Sequence, residues 1–194
     1  MLSQKEQKNN TKHDKKMSRR SHRLFEKHYL EFRESLYWYV YRKINKQDVA
    51  EDIVADVFMK LLENERILLE RDKNGVRAWL FTVARNQMID SFRKKSNKTQ
   101  KVDLDDEIFE IVGAKDDDQV QTLIREEDSQ LLISILENLE VEEKEIIHLR
   151  FYEEMRFSEI AEIVGKKEGA VKMTLYRAME KVKGLAGDRF DEKI

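Results

Sequence analysis

The sequence predicts an all-α protein made of two small helical domains joined by an acidic linker. Three observations carry that prediction: scarce turn residues, apolar residues recurring at helical spacing, and charge that alternates by segment. The chain of 194 residues has no proline and only 6 glycines, so the residues that hairpin turns demand are few and strand-dense sandwiches or barrels are disfavoured. Hydrophobic residues make up 40% and charged residues 39%, enough to fill small cores while long charged faces stay in solvent. The net charge of -2 hides the pattern. Residues 48–70 hold seven acids against two bases, and 71–95 hold seven bases against two acids. Residues 137–154 again hold seven acids against two bases, and 156–183 hold seven bases against four acids. Two acidic-then-basic units suggest two kinds of partner surface.

Composition also excludes several classes. With no cysteine, a disulfide scaffold, a thiol nucleophile and a cysteine zinc site are ruled out, and His13, His22, His28 and His148 form no ligand-spaced cluster. No metal or cofactor is expected. There is no apolar signal core and no run near the ~18 apolar residues of a membrane span, so a soluble, cytoplasmic protein is expected.

Residues 1–21 are polar and lysine-rich without a periodic apolar face, and read as a disordered basic arm. From Leu24 to Ile44 the residues Leu24, Phe25, Tyr29, Phe32, Leu36, Tyr37 and Val40 recur at helical spacing and predict a helix with a broad aromatic face. The next helix, Asp48 to Leu62, sets Ala50, Val54, Val57 and Leu61 on one side and the acids Asp48, Asp52 and Asp56 on another. After a turn at Asp72-Lys73-Asn74-Gly75, a helix from about Val76 to Lys95 shows a mixed row. Trp79, Asn86 and Arg93 lie seven apart, with Thr82 and Asp90 beside them and Arg93-Lys94-Lys95 at the end. An aromatic ring beside an amide and cations suits unpaired nucleotides, by stacking and by phosphate neutralisation. Residues 98–128 read as the acidic linker.

The second domain, 129–187, opens with the apolar face Leu132, Ile135, Leu136 and Leu139, followed by Ile146, Ile147, Leu149 and Phe151 after a helix start at Glu142 and Glu143; 188–194 is a tail. In Phe157 to Gly165, Ser158 is expected to cap a helix whose buried side is Ile160, Ala161 and Val164. A helix-turn-helix needs a small residue at the crossing, a glycine four later for the positive φ of the turn, and a branched apolar residue six beyond. Ala161, Gly165 and Val171 satisfy that spacing. The second helix, about Gly169 to Val182, leaves Lys172, Met173, Tyr176, Arg177 and Lys181 for a major groove, with Lys166 and Lys167 in the turn for phosphates.

Ala50 to Phe58, Trp79 to Asn86 and Ile89 to Lys94 together resemble region two of extracytoplasmic-function sigma factors, and Leu136 to Leu185 resembles their region four. The resemblance spans about residues 22–187 and implies core RNA polymerase, promoter DNA and an anti-sigma factor as partners. It implies polymerase binding by Asp48, Glu51, Asp52, Asp56 and Phe58. It implies minus-ten element binding by Lys73, Asn74, Arg77, Trp79, Arg85, Asn86, Arg93 and Lys94, in a domain of residues 22–97. The minus-thirty-five element falls to Lys172, Met173, Tyr176 and Arg177. No catalytic role is implied. Two other readings compete: a stand-alone helix-turn-helix regulator, and a metal-dependent phosphohydrolase using the carboxylates of Asp48, Glu51, Asp52 and Asp56, which lacks a paired base or nucleophile.

Overall fold

The first helix, α1 (Arg19–Ile44), starts where the hydroxyl of Ser18 accepts the amide of Ser21 at 3.2 Å, a side-chain cap for an otherwise unpaired donor. These coordinates come from a computed structural model that describes residues 18–96 and 138–186. The helix therefore begins inside the stretch read as a basic arm. Ser21 is buried and its hydroxyl donates to Glu65 at 2.5 Å, which fixes the helix start to a later element. The remaining arm, the linker 98–128 and the tail 188–194 lie outside the described residues, as do Leu132, Ile135 and Leu136.

Asn45, in the left-handed region at φ 50, ends α1 and its amide donates to the Tyr41 carbonyl at 2.7 Å. The chain then turns into α2 (Gln47–Glu63) and the short α3 (Glu65–Glu70), and enters α4 (Lys73–Ser96). Leu36, Val40, Ala50, Val57, Leu61 and Leu80 are fully buried where α1, α2 and α4 meet. Lys73, Asn74 and Gly75, expected in a turn, form the first turn of α4. The reason is Asp72, whose carboxylate accepts the Gly75 amide at 2.7 Å. A side chain at Gly75 would stand 3.1 Å from that oxygen, so the cap leaves little room for a Cβ.

The second unit begins with α5 (Val141–Ile147), where Glu143 reaches back to the Glu140 amide at 2.9 Å. It widens into a π-helical turn over His148–Tyr152, closed by the Glu153 amide on the His148 carbonyl at 3.1 Å. Helices α6 (Phe157–Val164) and α7 (Glu168–Ala186) form the helix-turn-helix. Gly165 takes φ 70 between them, while Ala161 and Val171 are buried at the crossing as the spacing required. Ser158 is not the cap of α6: the Glu159 carboxylate accepts the Arg156 amide at 2.9 Å instead. Ile163, with Ile160 and Ala161, fills the buried side, and Val164 is only half-buried.

The two units are docked. Helix α4 lies against α6, and Tyr39 of α1 packs its ring 4.8 Å from Phe81 and 6.0 Å from His148. Ile146, Leu149, Met155 and Ile160 join the buried apolar cluster of the first unit.

Candidate nucleic-acid interface

On α7, Val171, Leu175 and Ala178 face inward, so the side chains between them must project outward at helical spacing. Met173 and Tyr176 are 53% and 62% exposed, and Lys172 and Arg177 share that surface. The exposed face of α7 thus combines two large side chains with two cations. Lys172 holds Glu168 at 2.6 Å and lies 5.3 Å from the Phe157 ring centroid, which aligns its chain along α6. Of the turn lysines, Lys166 pairs with Glu142 at 2.6 Å and Lys167 is exposed. Lys181 is engaged elsewhere: it bonds the nearly buried Glu143 at 2.8 Å and ties α7 to α5.

On α2, Asp48, Glu51, Asp52 and Asp56 are all exposed, on the side away from Ala50, Ile53 and Val57. Glu51 accepts from the Gln47 amide group at 2.8 Å. Phe58 does not belong to that surface. It is 3% exposed and packs edge-on to Phe25 at 6.1 Å and Tyr29 at 4.9 Å, because its position along α2 turns it toward α1. Phe58 supports the acidic face from beneath.

The α4 residues divide three ways. Asn86 and Asp90 are exposed, Asn74 is half-buried, and Lys73 pairs with Glu31 of α1. Trp79 and Thr82, expected on the exposed row, are partly buried: Trp79 packs on the core and the Thr82 hydroxyl donates to the Ala78 carbonyl at 2.8 Å. The side chains of Arg93 and Lys94 lie outside the described residues. Arg77 and Arg85 are held between the two units. Arg77 contacts Glu159 through Nε at 2.9 Å and Nη2 at 2.8 Å, and donates to the Glu153 carbonyl at 3.3 Å.

Arg85 belongs to a buried cluster that the sequence reading missed. Its Nε donates to Glu145 at 3.0 Å, while Tyr39 Oη at 2.7 Å and Lys43 Nζ at 2.9 Å donate to the other carboxylate oxygen. The Glu145 side chain is fully buried. Burial, the largest influence, would raise its carboxyl, but Lys43, Arg85 and the bonds from Lys43 and Tyr39 hold it down to about 2. Burial likewise dominates at Lys43 and lowers its ammonium to about 8, against the opposing pull of Glu145. Burial and then Glu145 push the Tyr39 phenol well up, so it stays a neutral donor. Around this cluster, Ser35 donates to Glu153 at 2.5 Å, Arg42 lies 3.9 Å over the Tyr152 ring, and Arg71 pairs with Glu162. No described group of three or more histidines and carboxylates could hold a metal ion, and no described helix is long and apolar enough to cross a membrane.

Comparison with known proteins gives two family matches in chain order: Sigma-70 region 2 over residues 28–98, and Sigma-70, region 4 over residues 129–182. The chain is 31% identical over 149 residues to the RNA polymerase sigma factor SigV of Bacillus subtilis, covering 76% of this chain and 82% of that one. It is 26% identical over 163 residues to the ECF RNA polymerase sigma factor BldN of Streptomyces coelicolor, covering 82% of this chain but only 59% of the longer relative. Among solved structures, the sigma factor RpoE of Bartonella quintana, crystallised with the anti-sigma factor NepR, superposes with a TM-score of 0.61 at 26% identity. The match covers 83% of this chain and 95% of that one.

Proposed function

We propose a division of labour between the two units of this chain, which belongs to the extracytoplasmic-function group of the sigma-70 family of RNA polymerase sigma factors. It directs core polymerase to promoters through minus-ten and minus-thirty-five elements and assists their melting. In our reading, the unit from α1 to α4 carries polymerase and minus-ten binding, and the unit from α5 to α7 carries minus-thirty-five binding. It acts as a non-catalytic subunit in the cytoplasm.

The observation that carries this reading is α7. A buried ridge of Val171, Leu175 and Ala178 fixes the helix in a helix-turn-helix, and the opposite row of Lys172, Met173, Tyr176 and Arg177 stands free of the core. An arginine can bond both acceptors of a guanine edge, and the methionine can meet a thymine methyl. Lys166 and Lys167 then fall near the phosphate backbone and set register without reading sequence. Lys181, bonded to Glu143, serves the packing of α7 on α5 more than the groove.

On α2 the exposed acids offer polymerase a charge-complementary face, which governs docking rate and register more than affinity. On α4, Asn86 and the basic end from Arg93 would meet the melted strand, and Arg77 and Arg85 would join them once released from the acids of the second unit. An anti-sigma factor is a further partner in this reading, supported by the crystallised relative. A stand-alone regulator is not favoured, because the first unit itself matches sigma region 2. The phosphohydrolase reading is not favoured for the same reason. The test is run-off transcription by core polymerase on a genomic promoter library with and without the chain. Promoter-specific transcripts that need the chain are expected, and their absence on every template would overturn the assignment.

A further inference from the structure

We propose that Met173 is a reversible oxidation site, at which a hydroperoxide converts the thioether to the sulfoxide and so weakens the reading of the minus-thirty-five element. This role rests on the reading of α7 as the helix that enters the upstream major groove. The chain has no cysteine and 7 methionines, so methionine carries all of its sulfur. A peroxide therefore meets no thiolate, and the accessible thioethers are its first targets.

The fold sorts those thioethers. Met88 and Met155 are 1% and 0% exposed, and Met179 is half-buried against the apolar cluster. Met59 and Met173 stand 55% and 53% exposed. Met59 lies on α2, away from α7, so Met173 is the described methionine whose oxidation meets the upstream-reading face directly. The inward ridge of Val171, Leu175 and Ala178 holds α7 in place whatever the state of that sulfur.

In the reaction, a sulfur lone pair attacks one oxygen of the peroxide. The S–O bond forms as the O–O bond breaks, and the proton of the attacked oxygen moves to the departing hydroxide, which leaves as water. Sulfur gives up two electrons and the peroxide accepts them. Methionine sulfoxide reductases, one for each sulfoxide epimer, reverse the step: two thiols return the electrons, and a disulfide and water are the products.

Two consequences for recognition follow from one added oxygen. A flexible apolar tip suited to a thymine methyl becomes a polar group that must shed water to enter the same contact. The sulfoxide oxygen is also an acceptor one helical turn from Arg177, at the i, i+4 spacing where side chains meet. Guanidinium donors spent on that oxygen are withheld from a guanine edge. Lys166 and Lys167, in the turn before α7, keep their charge, so attraction to the phosphate backbone persists while sequence reading declines.

The test treats the full chain with hydrogen peroxide and follows each methionine by peptide mass spectrometry, with circular dichroism to check that helix content is kept. Met59 and Met173 should oxidise well before Met88 and Met155. Anisotropy then measures binding to a duplex carrying the upstream element, taken from genomic fragments captured by core polymerase with the chain, and to a scrambled duplex of equal length. Oxidation should weaken binding to the first by at least about fourfold, the worth of one methyl-sized contact, and leave the second unchanged. The two reductases with a dithiol should restore it. Met173→Leu should abolish the response to peroxide, Met59→Leu should retain it, and Met173→Gln should weaken the untreated chain as the sulfoxide does. Slow oxidation of Met173, at the rate of Met88 and Met155, overturns the proposed site. So does a fully oxidised Met173 with unchanged affinity while Arg177→Ala still weakens the same duplex, an outcome that leaves α7 as the reading helix. A peroxide-induced loss that persists in Met173→Leu overturns the assignment to this residue. No effect of Arg177→Ala on that duplex overturns the α7 reading, and the oxidation site with it.

Discussion

Two glycines four residues apart should respond to the same substitution with opposite signs. Gly165 sits between α6 and α7 at φ 70, and a Cβ there meets nothing within 4 Å. Gly165→Ala therefore incurs no clash, only the cost of holding an L-residue in the left-handed region, about 1–2 kcal/mol. The alanine also narrows the unfolded ensemble, which returns about 0.4–1 kcal/mol. The net expectation is a loss of about 1 kcal/mol. Gly169 lies in the first turn of α7, also with open space around a Cβ and with no positive φ. Gly169→Ala removes backbone freedom from the unfolded chain without strain, and should gain about 0.5 kcal/mol. Urea unfolding followed by circular dichroism, with slopes compared to confirm that each change acts on the same transition, gives both values. Gly165→Asn should lose less than Gly165→Ala, because asparagine tolerates this region. If both alanine variants shift stability in the same direction, the turn geometry assigned to the helix-turn-helix is wrong.

Further expectations concern the site and the contact. Glu145, held at about 2 against an ordinary 4.5, is depressed, so its contribution to docking is fully present above about pH 4.5 and is lost as pH falls toward 2. That shift corresponds to about 3 kcal/mol; energy transfer between dyes on Glu63→Cys of α2 and Glu180→Cys of α7, both exposed, should drop across this window with Tyr39, Lys43 and Arg85 in place, and a Glu145→Gln chain that drops equally would contradict the assignment. Arg177→Ala should weaken binding to an upstream-element duplex by about 1–3 kcal/mol in a titration, the usual range for a base-reading arginine; unchanged affinity would remove that role. Asp52→Lys, on the exposed face of α2, should slow association with core polymerase in a surface-capture assay while leaving duplex binding by α7 alone. Loss of duplex binding instead would show that the acidic face serves something else.

Much of the fold was legible because its period is local. Val54, Val57 and Leu61 specify α2 within a residue or so of its observed ends, and Ala161, Gly165 and Val171 specify a turn whose chemistry allows few alternatives. The six-residue α3 was not legible, since Glu65 to Glu70 spans fewer than two turns and shows no period. The start of α4 was misplaced because Asp72-Lys73-Asn74-Gly75 has the composition of a turn; what decides for helix is the reach of the Asp72 carboxylate to the Gly75 amide. Phe58 was assigned to a surface from its place in a motif, although its burial against Phe25 and Tyr29 depends on the packing of α1.

The charge alternation was visible, but its pairing was not. Lys43 and Glu145 are 102 residues apart, and nothing in either neighbourhood names the other. The two shifts also explain why this cluster makes a poor adhesive. Burial lowers the Lys43 ammonium, which opposes docking, while Lys43 and Arg85 hold the Glu145 carboxyl low, which favours it. The opposing directions leave a large share of the holding to the apolar contact between α4 and α6, with the charges setting how the units meet.

The claim that one chain carries two promoter-reading units for polymerase is tested most directly by promoter selection. Core polymerase reconstituted with the full chain, incubated with fragmented genomic DNA and sequenced after capture of open complexes, should enrich paired upstream and minus-ten elements at a constant spacing. Arg177→Ala should relax only the upstream element, and Asn86→Ala only the minus-ten element. Enrichment of one element alone, bound equally well without polymerase, would contradict the account.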